Sequence, residues 1–121
     1  MREVLSQGVE RNLPRLIDMV QTLVRVASPN PPSDTVAIAK ATEALLATIP
    51  GIEVRSVEPE PGIVSLVARL KGKRGGRRLI FNGHLDTFPI GAEAGWTVPP
   101  LSGGTVPVSY THLTLPTICS V

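Results

Sequence analysis

The spacing of apolar residues changes at Pro50-Gly51, and this change limits the possible folds more than any other feature of the chain. Before this pair, apolar side chains recur about every three to four positions, as on one face of an amphipathic helix. After it, they alternate with polar residues or form short continuous runs, as in strands. The sequence therefore predicts helices followed by strands, an α/β domain.

Two helices are predicted in the first part. The first is amphipathic from Leu13, with Pro14 in its first turn, and it ends near Ala27 because the prolines that follow forbid helical hydrogen bonding. The second begins after a cap at Ser33 or Asp34 and ends at the Pro-Gly pair.

Three strands are predicted in the second part, at Ile52–Val57, Ile63–Leu70 and Arg78–Asn82. The third is apolar on both faces, which is typical of a strand covered by helices on each side. The basic segment 71–78 is predicted to form the hairpin loop that joins the last two strands. About three strands and two helices are too few for a complete doubly wound enzyme, so a partial domain is expected.

Composition excludes several classes of protein. The chain has 121 residues, 42% of them hydrophobic, and a net charge of +2. It contains no run as long as a membrane span, no signal peptide and a single cysteine, Cys119, so a cytoplasmic protein without disulfides or membrane contact is expected. The basic segment lacks interleaved aromatic residues, which argues against a nucleic-acid binder.

A candidate metal site follows the third predicted strand. His84 and Asp86 are two residues apart, so their side chains point to one face of an extended chain. A neutral imidazole is a common metal ligand, and a carboxylate on the same face can share the metal or orient the ring. A His-x-Asp pair alone is a weak signal, and a structural or surface histidine is the usual alternative.

The residues around this pair are more specific. Gly83-His84-Leu85-Asp86-Thr87 precedes a proline, and Trp96 follows with a Pro-Pro-Leu-Ser-Gly run. An earlier loop reads Ser28-Pro29-Asn30-Pro31-Pro32. Together these motifs resemble the M20 family of zinc-dependent aminoacylases, deacetylases and exopeptidases, over roughly residues 10 to 106. The departures from the family pattern are Phe88, Ile90 and Leu101.

The resemblance implies a partial three-layer catalytic domain of the zinc-dependent exopeptidase type. His84 would be a metal ligand, and Asp86 the catalytic-site carboxylate that orients or polarises it. The complete enzyme would hold two divalent metal ions, zinc in first place with cobalt or manganese as alternatives. Its substrates would be small molecules, N-acyl amino acids or small peptides, and the family often forms homodimers. The remaining ligands and the general base would lie outside this chain, so the chain itself is expected to be inactive.

Four other residues near this pair are considered for structural roles. Asn30 is expected to form a local turn in which its amide bonds its own backbone. Glu93 is expected to be a solvated charge, and Trp96 to pack in the core or anchor a loop. Gly83 either permits close backbone approach beside the metal or simply ends a strand.

The last segment, 107–121, differs from everything before it. It has no charged residue and no helical period, and it departs from the family pattern. It resembles the peptide obtained when sequencing-adapter DNA is translated, so residues 1–106 are expected to be the metallohydrolase part and 107–121 a foreign tail. His112 and Cys119 are then not ligands. The alternative is a genuine final strand.

Two other functions stay open. If the tail is genuine, the chain is a noncatalytic α/β module that serves as a binding or regulatory partner. A nucleic-acid binder would instead use the basic segment 71–78 and would bind in a salt-sensitive manner.

Overall fold

The computed structural model describes residues 2–73 and 75–105, and the α/β class is confirmed. Helix α1 spans Arg2–Val24 and helix α2 spans Val36–Leu46. Strand β1 spans Ile52–Glu60, strand β2 spans Ile63–Leu70, and a short 3-10 helix follows at Glu93–Gly95. The predicted foreign tail at 107–121, with its histidine and cysteine, lies outside the described residues.

Helix α1 begins earlier than predicted, and placing Pro14 in its first turn was wrong. Leu5 and Val9 continue the apolar face of Leu13 at helical spacing, so the pattern itself extends toward the amino terminus. Pro14 lies inside the helix and has no N–H to donate to the carbonyl four residues before it. Although α1 has 23 residues, no helix in the described ranges is long and apolar enough to cross a membrane.

Helix α2 contributes the buried apolar residues of the described chain, Ile38 and Ala39. Its N-terminal cap residue is Thr35, one position after the predicted pair. Asp34 nevertheless satisfies the first helical N–H, since its carboxylate accepts a hydrogen bond from the backbone N–H of Val36 at 3.0 Å. The helix ends at Leu46, a few residues before the Pro-Gly pair.

Strands β1 and β2 form an antiparallel hairpin, with Ile52 opposite Leu70 and Glu60 opposite Ile63. The turn contains Pro61 and Gly62, and Gly62 has a φ of +85°. Proline followed by a glycine in this region is the pattern of a type II turn. The bounds of β2 agree with the prediction, whereas β1 extends to the turn.

Thr35 joins α2 to this hairpin. Its hydroxyl accepts a hydrogen bond from the backbone N–H of Val64 at 2.6 Å and donates to the carbonyl of the same residue at 2.9 Å. Its own N–H donates to the carbonyl of Gly62 at 2.9 Å. Thr35 is buried, so these bonds satisfy polar groups that water does not reach. They hold the start of α2, and the loop before it, against the sheet.

The third predicted strand, Arg78–Asn82, was wrong, and so was the hairpin loop at 71–78. Residues 75–84 have no strand structure, and the side chains of Leu79, Ile80 and Phe81 are 75%, 77% and 88% exposed. A strand requires a neighbour to accept and donate its ladder hydrogen bonds. No strand among the described residues lies beside this segment, so its apolar sequence stays extended and exposed.

The segment after the short 3-10 helix returns to α1. Arg25 donates from Nε to the carbonyl of Ser102 at 3.1 Å, and Gln21 donates from Nε2 to the hydroxyl of Thr105 at 3.3 Å. Gly103 lies between these contacts with a φ of +64°, and a Cβ there would be 2.9 Å from the carbonyl oxygen of Gln21. Only glycine suits both the conformation and this close approach.

Candidate functional site

His84 and Asp86 lie together in an extended segment, as their spacing predicted. His84 Nδ1 is 3.0 Å from Asp86 Oδ1. The histidine side chain is 89% exposed, whereas that of Asp86 is only 29% exposed. A carboxylate accepts hydrogen bonds and does not donate them, so a neutral imidazole in this position carries its proton on Nδ1. The lone pair is then on Nε2, which has no hydrogen-bond partner among the described residues.

The second oxygen of Asp86 is held by Asn30. The amide Nδ2 of Asn30 donates to Asp86 Oδ2 at 2.9 Å, across 56 residues of sequence. Its amide oxygen accepts a hydrogen bond from the hydroxyl of Ser33. The amide of Asn30 therefore bonds two other side chains, and the prediction that it bonds its own backbone was wrong.

The electrostatics of Asp86 follow from these two partners. The hydrogen bond from Asn30 is the largest influence and that from His84 the next, and together they lower the pKa of Asp86 below its ordinary value. Both donors stabilise the charged form of the carboxyl group. Asp86 is consequently an anionic acceptor at neutral pH, as an orienting carboxylate must be.

Backbone hydrogen bonds connect the two segments that carry these residues. The N–H of Thr87 donates to the carbonyl of Ser28 at 2.9 Å, and the N–H of Asn30 donates to the carbonyl of Thr87 at 2.9 Å. They form a parallel bridge between Pro29 and Thr87. The hydroxyl of Ser28, a residue that is 2% exposed, donates to the carbonyl of Leu85 at 2.8 Å. The proline-rich loop therefore fixes the segment that contains His84.

The backbone of the loop is unusual where it supports Asn30. Ser33 has a φ of +71°, a left-handed conformation that costs a residue other than glycine about 1–3 kcal/mol. Its N–H donates to the carbonyl of Pro29 at 3.1 Å, which closes the loop. The result places the Ser33 hydroxyl against the amide oxygen of Asn30.

The other sequence-based predictions near the site have mixed outcomes. Glu93 starts the short 3-10 helix and is exposed, in agreement with a solvated charge. Trp96 is 52% exposed, so packing in the core was wrong, whereas anchoring of a loop stays a prediction. A Cβ at Gly83 would meet no protein atom within 4 Å, so no contact among the described residues requires glycine there, and its approach to a metal stays a prediction.

The donor set fits one part of a metal centre. An imidazole whose Nδ1–H bonds a carboxylate and whose Nε2 is free is the usual arrangement of a metal-binding histidine. Within residues 2–73 and 75–105, no group of three or more histidine, cysteine, aspartate or glutamate side chains is close enough to hold an ion. The described residues thus fit a single ligand and its orienting carboxylate.

Comparison with known proteins gives three informative relatives. The chain is 33% identical over 100 residues to N-formyl-4-amino-5-aminomethyl-2-methylpyrimidine deformylase of Halalkalibacterium halodurans, covering 81% of this chain and 23% of that protein. It is 37% identical over 91 residues to succinyl-diaminopimelate desuccinylase of Paracoccus denitrificans, covering 75% and 22%. It is 33% identical over 84 residues to N-acetyl-L-citrulline deacetylase of Xanthomonas campestris pv. campestris, covering 69% and 21%.

These three similarities agree with the motifs around His84. The chain fits an amino-terminal fragment of an M20-like enzyme. It spans less than a quarter of the length of the curated M20-like relatives that it matches. No protein-family model matches the chain, and no solved structure matches it significantly.

Sequence reasoning missed Asn30 and Ser33 as parts of the candidate site. The only available signal was the position of Asn30 between Ser28 and the prolines, within a motif that carried the family resemblance. That position does not reveal a partner 56 residues away.

Proposed function

We propose that the chain is the amino-terminal part of an M20 amidohydrolase that removes the acyl group from N-acyl amino acids or small peptides. The observation that carries the proposal is the arrangement of His84, whose Nδ1 faces the Asp86 carboxylate and whose Nε2 is free. The relatives support the reaction class, since their names describe removal of a formyl, a succinyl and an acetyl group.

In the proposed reaction His84 would hold a divalent metal ion through Nε2. Such an ion would supply Lewis-acid chemistry, polarising an amide carbonyl and making water nucleophilic at neutral pH. Asp86 acts as a positioning residue, because its carboxylate keeps the proton on Nδ1 and fixes the plane of the ring. The loop containing Ser28 and Asn30 holds this pair in place.

The proposal includes the metals and assembly expected from the family resemblance. The complete protein would bind two ions, zinc in first place with cobalt or manganese as alternatives, because imidazole and carboxylate ligands accept all three. Its remaining ligands and its general base would follow residue 106. A cytoplasmic location and a homodimer are part of the same proposal.

The test begins with the source gene. We expect its sequence beyond the codon for Val106 to continue the M20 pattern instead of encoding residues 107–121. The product of that uninterrupted gene, called the complete protein below, should release amino acids from N-formyl, N-acetyl or N-succinyl derivatives, and a chelator should abolish the activity. The 121-residue chain should be inactive and should retain no stoichiometric zinc after purification.

Two results would contradict the proposal. One is a reading frame that ends at Val121 in the source gene, in which case a noncatalytic binding module becomes the better interpretation. The other is a complete protein that binds no metal and hydrolyses none of the three classes of derivative. Two tightly bound zinc ions per 121-residue chain would show that the ligand set proposed here is wrong.

A further inference from the structure

We infer that Asn30 is a positioning residue that holds the Asp86 carboxylate against Nδ1 of His84 and thereby fixes the tautomer of the imidazole. The inference rests on the proposed function in one respect, namely that Nε2 of His84 is the nitrogen that binds the metal. Its geometric basis is a continuous series of side-chain hydrogen bonds from Ser33 to Asn30, from Asn30 to Asp86, and from His84 to Asp86.

The Asp86 carboxylate bonds both Asn30 and His84. Asp86 divides its two oxygens between two partners, with Oδ1 3.0 Å from His84 Nδ1 and Oδ2 2.9 Å from Asn30 Nδ2. An amide nitrogen only donates, so Asn30 requires an acceptor at Oδ2. This bond keeps Oδ1 directed at the imidazole, where it can only accept, and a neutral imidazole supplies a proton to it only as the Nδ1–H tautomer.

The Asn30 amide has one favoured orientation. The reverse orientation would place its oxygen against Oδ2 of Asp86, two acceptors facing each other without a proton between them. The hydroxyl of Ser33 favours the observed orientation, because it donates to the amide oxygen on the other side. Ser33 therefore presents the amide so that its NH₂ group faces Asp86.

The backbone at residue 30 is anchored independently of the Asn30 side chain. The main chain of residue 30 is held by its own N–H, which donates to the carbonyl of Thr87, and by the neighbouring bond from Thr87 N–H to the carbonyl of Ser28. Neither bond uses the side chain of Asn30. A change of that side chain should therefore alter the hydrogen bond to Asp86 while the loop stays attached to residues 85–87.

The test exchanges donor and acceptor. In Asp86→Asn, the NH₂ group of Asn30 donates to the one oxygen of the new amide. The NH₂ group of the new amide then faces Nδ1 of His84 and favours the Nε2–H tautomer. In Asn30→Asp, two carboxylates face each other and repel, so the Asp86 carboxylate is no longer held against His84 and the exposed imidazole loses its fixed acceptor for Nδ1–H. In the double variant Asn30→Asp/Asp86→Asn, the new amide donates to the new carboxylate, and its oxygen again accepts from Nδ1–H.

The readout is ¹⁵N NMR of the imidazole in the metal-free 121-residue chain at about pH 8, where an ordinary imidazole is neutral. His112→Gln assigns the signals of His84. We expect Nδ1–H in the wild type, exchanged Nδ1 and Nε2 shifts in Asp86→Asn, a mixture in Asn30→Asp, and Nδ1–H restored in the double variant. Reciprocal rescue is not expected from residues that merely stabilise the fold.

Asn12→Asp is the matched control. It makes the same chemical change at an exposed asparagine of α1, whose amide donates to the carbonyl of Gly8 within the same helix, so the tautomer of His84 should not change. An Nε2–H wild-type imidazole would overturn the inference without any variant. A double variant with a native amide spectrum but without the Nδ1–H tautomer would also overturn it. Because no metal is present, neither result depends on the proposed hydrolase activity.

Discussion

Replacing His84 with alanine in the complete protein is expected to lower kcat/KM for hydrolysis of an N-acyl amino acid by about 10³-fold or more. The metal that His84 would hold supplies several kcal/mol of transition-state stabilisation, and each 1.36 kcal/mol corresponds to a factor of ten in rate. Nε2 of His84 is free for this role because the Asp86 carboxylate engages Nδ1. Steady-state kinetics and metal content per chain would be measured together.

Asn82→Ala is the control for this variant, since it shortens an exposed side chain in the same extended segment. It should keep both the activity and the metal content of the wild type. If His84→Ala keeps wild-type metal content and kcat/KM, the imidazole is not a ligand, and the M20 motif at residues 83–87 does not have its family role in this protein.

Asp86→Asn in the complete protein is expected to weaken metal binding or activity by about 10- to 100-fold, the usual cost of losing the residue that orients a metal-binding histidine. The physical reason is the proton: the amide NH₂ that then faces Nδ1 favours protonation of Nε2, the nitrogen that should bind the metal. The dissociation constant for zinc, measured by competition with a chromophoric chelator, is the direct readout.

Addition of Asn30→Asp to Asp86→Asn should restore part of the lost affinity for zinc, because it restores an acceptor for Nδ1–H. Asp18→Asn on the exposed surface of α1 removes one negative charge away from the loop and should leave the affinity unchanged. An equal loss of affinity in Asp18→Asn and Asp86→Asn would show that net charge, and not orientation of the ring, accounts for the effect.

The local part of the site was predictable from sequence. Side chains two residues apart in an extended segment point to one face, so His84 and Asp86 were expected to meet, and they do. The bounds of β2 followed from a run of apolar and β-branched residues. In both cases the information lies within a few neighbouring residues.

The predictions that were wrong concern residues whose structure depends on partners far away in the sequence. Asn30 reaches Asp86 across 56 residues, and a single sequence does not show that pairing. Leu79, Ile80 and Phe81 have strand-forming side chains, but a strand also needs a neighbour, and none lies beside them in the described part of the chain. Pro14 suits the start of a helix, where its missing N–H is harmless, yet the apolar pattern continues toward the amino terminus through Leu5 and Val9, and Pro14 lies inside α1.

The measurement that tests the central claim most directly is a zinc titration of the metal-free complete protein, followed by ¹⁵N NMR of the His84 imidazole. We expect excess zinc to shift the Nε2 signal of His84 while Nδ1 keeps its proton and its hydrogen bond to Asp86, and we expect His84→Ala to abolish the response. Signals of His84 that do not move in excess zinc, or zinc that replaces the proton on Nδ1, would contradict the proposed metal site.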